Sequence, residues 1–248
     1  MNDINIIQIS DIHIADKGVN PEHVDVRDKF IKIIDSISDE EFDFLVITGD
    51  LCYRETKLEI YQWIKSHLKS INKPIYVISG NHDDSLLIAN EFNLNKYIKN
   101  SELYYYIKKK GKHFIFLDTG KGTMTDDQYT WLEKTIKTID EEDIYIFMHY
   151  PPILANVPHM DKKWQFKQNR RFQKIINSNS NQYHIFCGHY HMERTIKNNN
   201  ITIYITPSTF FNLNPNTEYF EIDNYLAGYR RIKISDNKFI TDVKYINI

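Results

Sequence analysis

Five short segments of this 248-residue chain end an apolar run with side chains able to bind metal ions. QISDIH carries Asp11 and His13, VITGDL carries Asp50, and VISGNHD carries Asn81, His82 and Asp83. IFMHYPP carries His149, and IFCGHYH carries His189 and His191. Imidazoles, carboxylates and one neutral amide suit Mn, Fe or Zn, and the set offers no thiolate that would favour a soft site. Asp11, His13, Asp50, Asn81, His149, His189 and His191 outnumber the roughly three or four protein ligands of one catalytic zinc. Two ions sharing one carboxylate would use all of them, with Asp50, alone at the end of its run, as the natural bridge. Each piece is weak alone. A lone histidine after a strand is commonly a hydrogen-bonded structural residue, and Gly-Asn at a strand end makes an ordinary turn. A structural accident does not account for five such ends in chain order.

These residues need a scaffold that gathers strand ends. Apolar, β-branched runs predict buried strands at Ile4–Ile9, Phe42–Thr48, Pro74–Ser79, His113–Leu117, Ile144–Met148, His184–Cys187 and Ile201–Ile205. Between several of them lie amphipathic stretches at Pro21–Ser38, Lys57–Ile71 and Asp126–Ile139, with Asn20 and Thr125 as candidate caps. The alternation predicts an α/β sandwich, in which ligand sites lie at the carboxyl ends of strands. Asp11 and His13 are two apart, as are His189 and His191, so along an extended strand end each pair faces one side. Beyond about Thr206 the segment TPSTFFNLNPN is turn-rich. YRRIKIS and FITDVKYI then alternate as an antiparallel hairpin across Asp236 and Asn237. No repeat or linker divides the chain, which predicts one domain over 1-248.

Composition excludes several classes of function. The hydrophobic share of 42% and charged share of 26% are those of an ordinary globular protein. A formal net charge of -2 provides no field to gather nucleic acid or an anionic membrane. The two cysteines, Cys52 and Cys187, lack CxxC partners and read as free buried thiols, which fits the cytoplasm. The N-terminus has no signal-peptide pattern, and no run of about 18 apolar residues predicts a membrane span.

The ordered set D-x-H, G-D-x, G-N-H-D, H-x-P-P and G-H-x-H, running from Asp11 to His191, resembles the calcineurin-like metallophosphoesterase superfamily. Within it the chain is most similar to bacterial class III 3′,5′-cyclic AMP phosphodiesterases of the Icc type. MTDDQYTWL at Met124–Leu132, TPST at Thr206–Thr209 and AGYRRIKI at Ala227–Ile234 carry that narrower match. The resemblance implies a four-layer αββα sandwich of two mixed β-sheets flanked by helices. It also implies two metal ions, Fe or Mn with Zn or Co as alternatives. Asp11, His13, Asp50 and His191 would hold the first, and Asp50, Asn81, His149 and His189 the second. Asn81, His82 and His191 would meet the substrate phosphate. His82 would be the general acid and Asp83 the carboxylate that orients its ring. The implied reaction is hydrolysis of 3′,5′-cyclic AMP to 5′-AMP, with water activated by the metal pair attacking phosphorus opposite the ribose 3′ oxygen.

The metal motifs do not choose the diester. Glycerophosphodiesters and 2′,3′-cyclic nucleotides are the alternative substrates, whereas a nuclease would need a basic stripe that the chain lacks. A non-catalytic scaffold of the same fold is disfavoured because no ligand position is missing. The expected partner is therefore a small cyclic nucleotide, with neither nucleic acid nor membrane, and the oligomeric state stays open. At the pocket mouth, His159, Asp161, Trp164, Asn169 and Phe210 are candidates, with His159 read as a surface loop residue. Asp118 is read as a turn residue, and His23, His67, His113 and His184 receive no role.

Overall fold

The computed structural model describes residues 3–236 and 238–246. Its strands begin with β1 (Ile4–Ile9), β2 (Phe44–Thr48), β3 (Ile75–Ile78), β4 (Ile98–Lys99), β5 (Glu102–Leu103), β6 (Tyr105–Lys109), β7 (Lys112–Phe116) and β8 (Asp143–Phe147). They continue with β9 (Gln182–Cys187), β10 (Arg194–Asn198), β11 (Ile201–Ile205), β12 (Asn212–Leu213), β13 (Ile222–Asn224), β14 (Ala227–Ser235) and β15 (Lys238–Ile246). The helices are α1 (Val26–Ser38), α2 (Leu58–His67), α3 (Ser85–Glu91), α4 (Asp126–Ile136), α5 (Pro158–Lys163) and α6 (Asn169–Ile176).

One sheet has the order β15-β14-β1-β2-β3 and the other β10-β11-β9-β8-β7-β6. Both are mixed. β1, β2 and β3 run parallel, with β14 antiparallel to β1, while β11, β9, β8 and β7 run parallel between antiparallel edges β10 and β6. Side-chain alternation along β7 and β8 separates the layers. Phe114, Phe116, Tyr145 and Phe147 join the core shared with β1–β3 and helices α1–α3. Ile115, Ile144 and Ile146 join a second core with Leu132 of α4 and Phe172 of α6. The predicted sandwich of two mixed sheets with helices on both outer faces is thus observed.

An aromatic ladder fixes the register of the second sheet. Tyr105, Phe116, Phe147, Phe186 and Tyr204 stand opposite one another on five successive strands. Their ring centroids are 4.5, 5.2, 5.1 and 5.1 Å apart along the row. Cross-strand aromatic pairs of this kind contribute roughly 0.2–1 kcal/mol each. More usefully, they penalise a one-residue slip that would turn every ring to the other face. The loops that follow β8 and β9 carry His149, His189 and His191, so the ladder sets the height at which these side chains arrive.

Several local expectations change. Asn20 does not cap α1. Pro21–His23 form a single 3-10 turn in which Glu22 is left-handed, and Asp25 caps the helix by accepting from the amides of Arg27 and Asp28. Thr125 caps α4 as expected, accepting from Gln128. Strands β6 and β10 went unpredicted because their Lys-, Arg- and Asn-rich sequences serve sheet edges. The hairpin of β14 and β15 forms from Ala227↔Ile246 to Ser235↔Lys238, and Asn237 of its turn lies outside the described residues. Among the described residues no helix is long and apolar enough to cross a membrane.

The ends of β1 and β9 meet closely at Gly188, where a Cβ would fall on Ser10 Oγ and Asp11 Oδ2. Replacing Gly188 by alanine is therefore expected to lower the unfolding free energy by about 1–3 kcal/mol, as overpacking does elsewhere. Urea denaturation reads this directly, and an unchanged midpoint would contradict the close approach.

Candidate metal centre

The ligand loops do not leave their strands in extended conformation. Asp11, His13, Asp50, His189 and His191 have φ of 52, 45, 53, 65 and 48°. The two-residue spacing therefore does not work through strand alternation, as expected from sequence. Each pair instead takes left-handed steps that turn both side chains inward. Asp and Asn, with His, are the non-glycine residues most tolerant of that region, so one set of residue types serves both backbone and chemistry. Such conformations cost of order 1–3 kcal/mol apiece and persist only where surroundings enforce them. The enforcement here is reciprocal. The amide of Asp11 donates to Gly49 O at 3.1 Å, His13 to Asp50 O at 2.9 Å, and Gly188 to His149 O at 3.1 Å.

The resulting side chains converge. One potential ligand atom from each of Asp11, His13, Asp50 and His191 lies within 4.8 Å of the others, and the same holds for Asp50, His149 and His189. Asp50 belongs to both groups. Asn81 reaches the second through Oδ1, 3.2 Å from His149 Nε2. His13 Nε2 lies 3.0 Å from His191 Nε2, and His149 Nε2 lies 3.3 Å from Asp50 Oδ2.

The protonation pattern fits two cations. His149 Nδ1 faces Thr48 O at 2.8 Å and His189 Nε2 faces Trp164 O at 2.9 Å. A carbonyl only accepts, so those nitrogens carry protons, which leaves His149 Nε2 and His189 Nδ1 as the nitrogens that can face a metal. The Nδ1 atoms of His13, His189 and His191 are buried with no hydrogen-bond partner among the described residues. Burial disfavours charge on Asp11, but His191 outweighs it and holds the carboxyl at about 2. Burial works against Asp50 too, yet His149 and His13 hold it well below the usual carboxylate range. Burial keeps His13 neutral down to about 4, and burial with the neighbouring His149 keeps His189 neutral down to about 3. Ionised carboxylates and neutral imidazoles are the states in which these groups ligate. His149 differs. Burial opposes its charge, but Asp50 raises it to about 9, so a proton and a metal ion compete for the same Nε2.

The GNHD turn divides its work differently from expectation. His82 lies partly exposed, its ring 5.1 Å edge-on from that of His13, and its amide donates to Asp50 Oδ1 at 2.9 Å. The ring Nδ1 faces Arg54 O at 3.2 Å, not Asp83. The Asp83 carboxylate instead accepts from Leu51 N, Cys52 N, Gly80 N and Tyr61 Oη at 2.9–3.4 Å. Those donors occupy it, so the expected orientation of His82 by Asp83 is corrected. Asp83 ties the turn to the Asp50 loop. Burial, then the charge of Asp50, push its carboxyl up to about 6.

A cavity of about 290 Å³ opens over the cluster. His13, Asp50, Asn81, His82, His189 and His191 form its floor, and Tyr53, Trp164, Phe210 and Phe220 are among its walls. His159 also lines it and is 8% exposed, so it is no surface loop residue. Asp161 and Asn169 are not at the mouth. Asp161 holds its own loop by accepting from Ala155 N, Val157 N and Tyr190 Oη, and Asn169 pairs with Gln165. Asp118 accepts from Ser79, Ser85 and Leu103 N, the turn role assigned to it. Sequence reasoning missed Tyr53, Arg54, Glu22 and Phe220 in the lining. Tyr53 and Arg54 closely follow the GD motif and carried that signal, whereas Glu22 and Phe220 arrive by tertiary folding alone.

Residues 4–193 match the calcineurin-like phosphoesterase family. Over 244 residues the chain is 34% identical to a probable cyclic nucleotide phosphodiesterase of Fibrobacter succinogenes, covering 98% of this chain and 94% of that one. It is 27% identical to the 3′,5′-cyclic adenosine monophosphate phosphodiesterase CpdA of Haemophilus influenzae, covering 98% and 90%. Identity to a probable glycerophosphodiester phosphodiesterase GpdQ of Arcobacter nitrofigilis is 28%, covering 80% and 76%. A dimetal phosphatase from Danio rerio shares the fold, with a TM-score of 0.69 at 12% identity over 96% of this chain and 98% of that one. All five motif-bearing loops fall inside the matched residues, and the chain belongs to the calcineurin-like phosphoesterase family of hydrolases.

Proposed function

We propose that the protein is a two-metal phosphodiesterase that converts 3′,5′-cyclic AMP to 5′-AMP. The observation that carries this reading is the two-sided cavity, with anion-binding chemistry on its floor and aromatic rings around its walls. A nucleoside cyclic diester offers the complementary pair, a charged phosphate and a flat base. The CpdA relative, matched over nearly the whole chain, supports the same substrate. Both cysteines are free and buried, which supports a reducing compartment, the cytoplasm.

Asp11, His13, Asp50 and His191 would hold one ion, and Asp50, Asn81, His149 and His189 the other. The donors suit Mn or Fe and also accept Zn or Co. When bound, such a pair acidifies water and neutralises phosphoryl charge. The chain's own groups do the rest. Asn81, His82 and His191 meet the phosphate oxygens. As water adds to phosphorus it releases one proton to solvent, and as the bond to O3′ breaks that oxygen needs a proton. His82 keeps Nδ1–H on the Arg54 carbonyl and gives the proton from Nε2, a role worth about 10²–10⁴-fold. The walls hold the base through ring contact common to adenine and guanine, so preference over cyclic GMP is modest.

Asp50→Ala is expected to abolish turnover and to strip both ions, read by metal analysis. His82→Ala should keep two ions per chain while kcat falls about 10²–10⁴-fold; loss of metal in this variant would reassign His82 as a ligand. Phe220→Ala and Trp164→Ala should raise KM for cyclic AMP more than for a glycerophosphodiester, which lacks a base. Comparing kcat/KM for cyclic AMP, cyclic GMP, 2′,3′-cyclic nucleotides and glycerophosphodiesters decides the substrate. Faster turnover of a glycerophosphodiester, the activity in the name of the Arcobacter relative, would replace the cyclic AMP reading.

A further inference from the structure

The TPST segment, Thr206–Thr209, lies beyond the residues matched to the family and outside every ligand motif. The structure gives it a specific set of contacts. Ser208 is fully buried, and its Oγ donates to the carbonyl oxygen of Asp11 at 2.7 Å while accepting from Phe210 N at 2.9 Å. Thr209 N reaches Ser10 O at 3.3 Å, and Thr206 N reaches Cys187 O at 2.9 Å. Behind the segment stands Arg230, 2% exposed, whose Nε donates to Thr206 Oγ1 at 3.0 Å. Thr206 passes the bond to Gln8 Oε1 at 2.7 Å. Thus TPST and Arg230 of β14 are two halves of one joint. That joint braces the strand leading into Asp11.

We propose that Ser208 is a positioning residue for one metal site. Asp11 sits at φ 52°, a conformation that an unconstrained aspartate leaves easily. Its amide is held by Gly49 O and its carboxylate by His189 N at 3.0 Å, so the carbonyl is the remaining point at which the residue is fixed. The Ser208 hydroxyl supplies that point. Without it the peptide between Asp11 and Ile12 turns, and the Asp11 carboxylate and His13 ring lose their common aim. The second group, Asp50, Asn81, His149 and His189, makes no hydrogen bond with Ser208 and meets the Asp11 turn only through the His189 amide on the Asp11 carboxylate, so it is disturbed less. Outer partners of ligands typically affect metal affinity 10- to 100-fold.

This inference rests on the two-metal reading, and the test separates the two. Manganese binding is measured by calorimetry for Ser208→Ala in a His149→Ala background, which leaves the Asp11–His13 site, and in a His13→Ala background, which leaves the other. Affinity is expected to fall roughly ten-fold or more in the first background and by a clearly smaller factor in the second. Ser208→Cys, which keeps the volume with a weaker donor, should show the same selectivity with a smaller loss. Equal weakening in both backgrounds would mean general loosening of the fold and would overturn the assignment, as would no change in either. Fewer than two ions on the unsubstituted chain would instead refute the two-metal reading itself.

Discussion

Two carboxylates, Asp11 and Asp50, lie buried within one cluster, and holding them there ionised is the demand that the surrounding structure answers. Like charges out of water repel and lose hydration, so each must gain compensating donors. Asp11 receives the amide of His189, and Asp50 receives the amide of His82. Imidazoles of His13, His149 and His191 approach from the remaining directions. Every one of these partners comes from a different strand end than the carboxylate it serves. The sandwich is the frame that lets separate loops bring them within 3.6 Å of the carboxylates.

Aiming the donors requires the backbone to bend where residues ordinarily resist. Five ligand residues adopt left-handed φ, and close-packed glycines allow the loops to touch. The strain is distributed over loops that hydrogen-bond one another. Recognition is joined to this frame through Trp164. Its carbonyl fixes the ring of His189 while its side chain lines the cavity, so one residue serves both the metal site and the substrate wall.

The ligand set was legible because its residue types are unusual at the ends of apolar runs, and the strands because their β-branched sequences are buried. The way in which Asp11 and His13 reach one side was not. Sequence spacing suggests alternation, but left-handed turns depend on amides and carbonyls of other loops. Asp83 was misassigned for a similar reason. Its neighbour in sequence is His82, whereas its donors are Leu51, Cys52, Gly80 and Tyr61, most of them brought by the fold. The edge strands β6 and β10 were hidden by their charge, and the aromatic ladder by its dependence on pairing across distant segments. The burial of His159 is not legible because its neighbours Thr217 and Phe220 come from a segment about sixty positions away.

The candidate ligands extend from Asp11 to His191, and no two loops alone bring a full set together. An unfolded or half-folded chain therefore offers an ion only scattered, solvated side chains. Affinity then belongs to the native state almost exclusively, and mass action draws the population toward it. One ion at a hundred times its dissociation constant adds about 2.7 kcal/mol to the unfolding free energy. In the two-metal reading, cellular metal supply would act as a thermodynamic brace on the whole sandwich as well as a reagent at its edge.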